Sequence, residues 1–212
     1  MHKGAICAGL TGSIGMGKST VAAMLKEMGI PVFDSDAEVR RLLTKDFAVI
    51  GEIVKVFPDV WDRKAKAIDR AELSEIVFED HNERKKLEMI VHPFVWKAQK
   101  KFTRHYLRCG FRFLVLDIPL LFETGAEDRV DKVICVTAPP FVQYRRVTGR
   151  PGFDGDLFFK ILNTQMPDRE KRRRSDFVIH TGLNRARTFR DVKAVVHKLR
   201  GLLASGTFRF LD

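Results

Sequence analysis

Gly12-Ser13-Ile14-Gly15-Met16-Gly17-Lys18-Ser19 (GSIGMGKS) is the stretch that decides how this chain folds. It fits the pattern GxxxxGK[ST]. A row of phosphates needs many hydrogen-bond donors in a small volume. Glycines let the backbone bend around it and turn its N–H groups inward. A helix opening near Lys18 adds its positive N-terminal end. In such a loop the lysine reaches the β- and γ-phosphates of a nucleotide, and the Ser19 hydroxyl ligates Mg²⁺. Gly12, Ser13, Ile14, Gly15, Met16 and Gly17 form the cradle. Thr20 is counted with them, although its place is that of an ordinary helix residue. In a chain of this length the pattern arises by chance with a probability on the order of one percent.

The flanks agree with the loop. Ala5–Leu10 (AICAGL) is an apolar run of strand length, and Lys18–Met28 has helical spacing with Val21, Leu25 and Met28 on one side. Gly29 closes that helix. Pro31–Phe33 reads as a second strand, leading through Asp34-Ser35-Asp36 into a helix that reaches Leu43. No buried strand is expected between about residues 37 and 110. Helices are expected there instead: Arg70–Phe78 capped by Asp69, Glu83–Met89 stopping near His92-Pro93, and Phe94–Leu107. Strands return at Phe111–Leu116, Lys132–Val136 and Phe177–Ile179, and a helix from Asn184 to about Leu203 follows. The tail from Ser205 is uninformative.

Strands and helices therefore alternate around an insertion of about seventy residues, far longer than a usual crossover. The expected fold is α/β: a three-layer α/β/α P-loop architecture with a parallel sheet of about five strands, an inserted helical subdomain and a lid. The expected core comprises residues 1–36, 111–146 and 166–212, with the subdomain at 37–110 and the lid at 147–165. Ligands of open α/β sheets bind beyond the carboxyl ends of the strands. Asp34, Asp36 and Asp117 lie at such ends and are expected to face the loop. Transfer of phosphate to a hydroxyl needs a carboxylate to orient it and take its proton. Asp36 is assigned that role. Asp34 either steadies Mg²⁺ through bound water or caps the next helix. Asp117 resembles a Walker-B acid and would position metal or substrate.

The formal net charge of +11 draws polyanions, phosphorylated metabolites included. The densest basic run, Arg169–Arg174, is too short and too mixed with acid for a nucleic-acid arm, and no specific nucleic-acid partner is expected. Cys7, Cys109 and Cys135 lack metal-ligand spacing and read as packing residues. No apolar run approaches the ~20 residues that span a bilayer. No signal-peptide pattern is seen, so the expectation is a cytoplasmic protein without a membrane partner. The oligomeric state is not legible.

Several further segments, taken in order, resemble the dephospho-coenzyme A kinase family. They are Leu10-Thr11-Gly12 running into the loop; Asp34-Ser35-Asp36 with Arg40; Ile68-Asp69-Arg70 with Leu73, Val77 and Phe78; and His92-Pro93. Asp117-Ile118-Pro119-Leu120-Leu121-Phe122-Glu123 follows, then Gln143, Arg146, Arg150 and Gln165. The resemblance runs from near the start to about residue 182. It implies transfer of the γ-phosphate of ATP, with Mg²⁺, to the ribose 3′-hydroxyl of dephospho-coenzyme A. It implies that Arg40 meets a substrate phosphate, and that His92 and Pro119–Glu123 line the pocket. His92-Pro93 also reads as a helix stop, and Leu120, Leu121 and Phe122 equally as core. Arg146 and Arg150, four apart on a predicted helix, share a face, and in a lid they would stabilise charge on the moving phosphoryl group. Gly149, Pro151, Gly152 and Gly155 suit a mobile lid.

Two positions depart from the family. His180-Thr181-Gly182 replaces an Asn-rich turn, which leaves adenine recognition open, and a late basic lid residue is displaced, with Lys160 nearest and Ile161 apolar. Shikimate kinases share an Asp-Ser-Asp segment but are shorter. A nucleic-acid-binding P-loop ATPase has only the basic charge in its favour, without the aromatic-rich basic strand used to stack bases.

Overall fold

Every residue of Ile6–Thr11 is buried, so its apolar run reads as a strand covered on both faces. The computed structural model describes residues 4–204. The first three residues and the tail from Ser205, both assigned to the core by sequence, lie outside the described residues. In chain order the elements are β1 (Ile6–Thr11), α1 (Lys18–Glu27), β2 (Val32–Asp34), α2 (Ser35–Lys45), α3 (Phe47–Val56), β3 (Trp61–Asp62), β4 (Ala67–Ile68), α4 (Arg70–Glu79), α5 (His81–Arg108), β5 (Phe113–Asp117), β6 (Lys132–Thr137), α6 (Pro140–Thr148), α7 (Gly155–Asn163), α8 (Asp168–Arg174), β7 (Phe177–His180) and α9 (Arg185–Ala204). They fall into two compact units, Met1–Phe33 with Thr103–Asp212, and Asp34–Phe102.

The larger unit is built on a five-stranded sheet of order β2-β5-β1-β6-β7. The β1–β5, β1–β6 and β6–β7 ladders are parallel. Alternate residues of β1 face opposite ways. Ile6, Ala8 and Leu10 join Val21, Met24 and Leu25 of α1 and Val192, Val196 and Leu199 of α9 in one core cluster. The other face carries Gly9, where an added Cβ would lie 2.4 Å from Leu121 Cδ1 and 3.2 Å from Val130 Cγ2. The expected α/β/α layering with five strands is what the sheet and its helices form.

The smaller unit is mostly helical, around Leu42, Val49, Ile53, Val60, Leu73, Val91 and Val95. Aspartates start its helices. Asp34 accepts from Ala37 N at 2.8 Å, Asp46 from Val49 N at 3.4 Å and Asp69 from Ala71 N at 2.9 Å. Each such cap satisfies a donor that the helix leaves over, worth about 1 kcal/mol.

The structure differs from the sequence expectation at two places, the helix around Pro93 and the helix of Arg146. The helices expected on either side of His92-Pro93 are one helix, α5, which runs through Pro93. Proline costs a helix interior one hydrogen bond. Val91, Val95 and Gln99, four apart, are all buried, and that packing holds the helix together through the proline. The insertion also carries a short antiparallel pair, β3 with β4, two residues each, in which Ile68 is buried and Trp61, Asp62 and Ala67 are not, so it is not a buried strand of the kind excluded by sequence. Such a pair is too short to show periodicity. Arg150 is not on the helix of Arg146: α6 ends at Thr148 with Gly149 as its cap, so the two arginines do not share a helical face.

Candidate active site

β1 delivers the chain to Gly12, and α1 takes it up at Lys18. Between them the backbone turns twice through the left-handed region, at Gly15 (φ 77°) and Gly17 (φ 85°). Space is short as well. A Cβ on Gly15 would meet Val147 Cγ2 at 2.6 Å, and one on Gly17 would meet Thr181 Oγ1 at 2.8 Å. Both demands exclude a side chain at Gly15 and at Gly17, of which Gly17 is the second glycine that the motif fixes.

The loop is held from several directions. Ile14 N donates to Gln165 Oε1 at 3.0 Å, and Gln143 Nε2 donates to Ile14 O at 2.7 Å. Thr181 Oγ1 donates to Met16 O at 2.6 Å and accepts from Arg146 Nη1 at 2.9 Å. Arg146 Nη2 donates to Thr181 O at 2.6 Å, and Nη1 lies 3.4 Å from Gly15 O. Met16 itself is buried, its Sδ accepting from Ala138 N. The Ser13 hydroxyl is buried without a hydrogen-bond partner among the described residues. Such a group costs about 1–3 kcal/mol and suits a site whose remaining acceptors arrive with a ligand. Ser19 and Thr20 are exposed in the first turn of α1.

Asp117 ends β5 in register with Leu10, next to the strand end that feeds the loop. Its Oδ1 lies 2.5 Å from Lys18 Nζ, and both side chains are largely buried. Beyond it, Pro119 and Leu120 are half-buried, whereas Leu121 and Phe122 have the burial of core residues. Pro119 O accepts from Thr11 Oγ1 at 2.9 Å. Arg150 is exposed past α6, with its guanidinium 5.9 Å from the centre of the Phe153 ring.

The remaining candidates lie in the smaller unit. Asp34 caps α2, and Asp36 is exposed in the first turn of that helix, with Arg40 exposed one turn further on. His92 lies on α5 with its ring 5.8 Å from that of Trp96. Lys85, Glu88, Met89, His92, Pro93 and Trp96 line a shallow depression of ≈ 340 Å³ on this unit.

Among the described residues no group of three or more His, Cys, Asp or Glu stands ready to hold a metal. Mg²⁺ at nucleotide sites is usually held by one or two protein groups and by phosphates, so it needs no such group. Ser19 and Asp117 are the groups at the loop that suit it. The sequence assigns no role to Gln143, Gln165 or Thr181, yet all three hold the loop. Local spacing gives no sign of this, because each reaches the loop from far along the chain.

A glycine-built phosphate cradle at the end of β1, a lysine on an acid at the end of β5, and this sheet order define a P-loop kinase. A profile of the dephospho-CoA kinase family matches residues 6–185. A dephospho-CoA kinase of Mesorhizobium japonicum is 46% identical over 197 residues, covering 92% of this chain and 98% of its own. The crystal structure of TT1252 from Thermus thermophilus, 36% identical, superposes with a TM-score of 0.79 over 93% of this chain and 99% of that one. A dephospho-CoA kinase from Campylobacter jejuni, 26% identical, gives 0.68 over 92% and 98%. This chain belongs to the dephospho-CoA kinase family.

Proposed function

We propose that the protein transfers the γ-phosphate of ATP to the ribose 3′-hydroxyl of dephospho-coenzyme A, giving coenzyme A and ADP, the last step of coenzyme A synthesis. The observation that carries this reading is the family match across residues 6–185, which takes in the phosphate loop, Asp36, His92-Pro93 and the Asp117–Glu123 turn together.

Residues 12–19 wrap the polyphosphate with backbone N–H groups, and Lys18 balances charge on the β- and γ-phosphates. Asp117 holds that ammonium at the mouth of the cradle, so the lysine is oriented before the phosphates compete for it. Asp36 orients the acceptor hydroxyl and takes its proton. Arg146 and Arg150 supply positive charge to the moving phosphoryl group, although only Arg146 is tied to the loop in this structure. Ser19 and Asp117 would hold Mg²⁺, and Asp34 would do so through water; the ion would supply positive charge against the charge that develops during transfer. Arg40, His92 and the Pro119–Phe122 turn bind dephospho-coenzyme A. Residues 37–110 act as the substrate subdomain, and residues 147–165 as a lid that excludes water when closed. No helix among the described residues is long and apolar enough to cross a membrane, and we place the enzyme in the cytoplasm.

An acceptor panel tests this reading. The purified protein is given ATP, Mg²⁺ and either dephospho-coenzyme A, shikimate or a nucleoside. Turnover of dephospho-coenzyme A alone is expected. Turnover of another acceptor in its place would overturn the assignment.

A further inference from the structure

Lys171 stands inside the basic run Arg169–Arg174, yet its side chain has 0% exposure, while the neighbouring arginines pair on the surface with Asp168 and Glu170. Lysine is almost never fully buried unless paired. Here Nζ lies 2.8 Å from Glu123 Oε1 and 3.4 Å from Pro119 O. Glu123 Oε2 is buried with no hydrogen-bond partner among the described residues, so the carboxylate depends on that ammonium for its charge balance.

Both groups that Lys171 holds lead to the phosphate cradle. Pro119 is two residues from Asp117, and its carbonyl also takes the hydroxyl of Thr11, the residue before the loop. Glu123 Oε1 accepts from Met166 N at 2.8 Å, and the adjacent Gln165 takes Ile14 N. One ammonium thus fixes the turn that presents Asp117 to Lys18 and the segment that presents Gln165 to Ile14. Fold stability alone does not call for such a pair, since apolar replacements of buried ion pairs are often neutral or stabilising.

We propose that Lys171 is a positioning residue for phosphoryl transfer, acting through Glu123 and the Pro119 carbonyl on both sides of the phosphate loop. The proposal rests on the kinase reading above. It does not place Lys171 in contact with a substrate.

The test compares the parent with K171M and K171M/E123Q, in full-length protein, by thermal melting, by kcat with dephospho-coenzyme A and by calorimetric titration of ATP. K171M strands a buried carboxylate and is expected to lower Tm. The double variant replaces the ion pair with neutral groups of similar size and is expected to melt within a few degrees of the parent. Its kcat is expected to stay about tenfold to a hundredfold down, with a loss of ATP affinity, because the Pro119 carbonyl then keeps the Thr11 hydroxyl but loses the ammonium that ties it to the Glu123 side of the loop. A double variant that matches the parent in kcat and ATP affinity overturns the proposal. Failure of the double variant to fold overturns it as well, by making the pair a requirement of the fold. A parent that binds ATP without turning over dephospho-coenzyme A would fail the kinase assignment instead, and the titration would still report on the cradle.

Discussion

Around the phosphate loop of the larger unit polar side chains are held across the chain, whereas the exposed polar side chains of α2 in the smaller unit are held within their own helix. Lys18 meets Asp117 from 99 residues away, Gln165 meets Ile14 from 151, and Thr181 meets Met16 from 165. In the smaller unit Asp34 bonds three residues on, Arg41 bonds Glu38 three residues back, and Thr44 bonds Arg40 four back. Gln99 Nε2 to Ser35 Oγ, 64 apart, is a long-range bond within the smaller unit as well. The difference separates two ways of placing a functional group. A side chain fixed by long-range contacts carries both stability and chemistry, so changing it affects both. One standing exposed on a locally capped helix carries chemistry with little structural burden.

The sharpest way to break that contrast is a pair of variants. Lys18→Ala is expected to lower kcat/KM by about 10³-fold or more, since it removes the cradle's charged donor. It should also cost about 1–3 kcal/mol of stability, because the buried Asp117 loses its ammonium. Asp36→Asn is expected to lower kcat by about 10²–10⁴-fold while stability stays within about 0.5 kcal/mol. Denaturant melts beside steady-state kinetics read both. Equal stability losses would erase the distinction, and near-parental turnover in Asp36→Asn would remove its assignment as base.

Thr181→Val takes one hydroxyl from between Met16 O and Arg146. Urea unfolding is expected to show a loss of about 2 kcal/mol, although valine keeps the shape.

The pH dependence of stability sharpens the contrast further, because all three cysteines fall in the larger unit. Burial, and then the nearby charge of Asp168, pushes the Cys135 thiol from its ordinary 9.0 up to about 12. The unfolded chain then ionises this thiol first. Its stabilising effect is whole below about pH 9 and is lost as pH rises toward 12. Between pH 8 and pH 10 the parent should lose about 1.4 kcal/mol that Cys135→Ala does not lose. Paired unfolding curves at the two pH values check this.

The smallest effect is expected at Asp34→Ala, which removes one local cap and costs about 1 kcal/mol by the same unfolding measurement.

Much of this was legible in the sequence, and the limits follow the same division. The phosphate loop, the strands on either side of it, the acid closing β5 and the cap at Asp69 are local patterns, and each appears where its pattern stands. The stop expected at Pro93 failed because burial of Val91, Val95 and Gln99 outweighs one missing hydrogen bond, and burial is not written in a dipeptide. Four-residue spacing puts Arg150 on the face of Arg146 only in an unbroken helix, and Gly149 ends α6 first. Asp34 suits both capping and chemistry by sequence, and the structure shows the cap. Lys171 was hidden by its neighbours, since one buried lysine among exposed arginines leaves no mark in composition.

The position of β1 has a consequence for how the chain is made. Its neighbours in the sheet begin at Phe113 and Lys132, so Ile6 has no partner strand until more than a hundred further residues exist. At about 5–20 residues per second, ribosomal synthesis leaves this uncharged apolar hexapeptide waiting for roughly 5–20 s. During that interval it is an open edge on the nascent chain, of the kind that chaperones cover and that aggregation exploits.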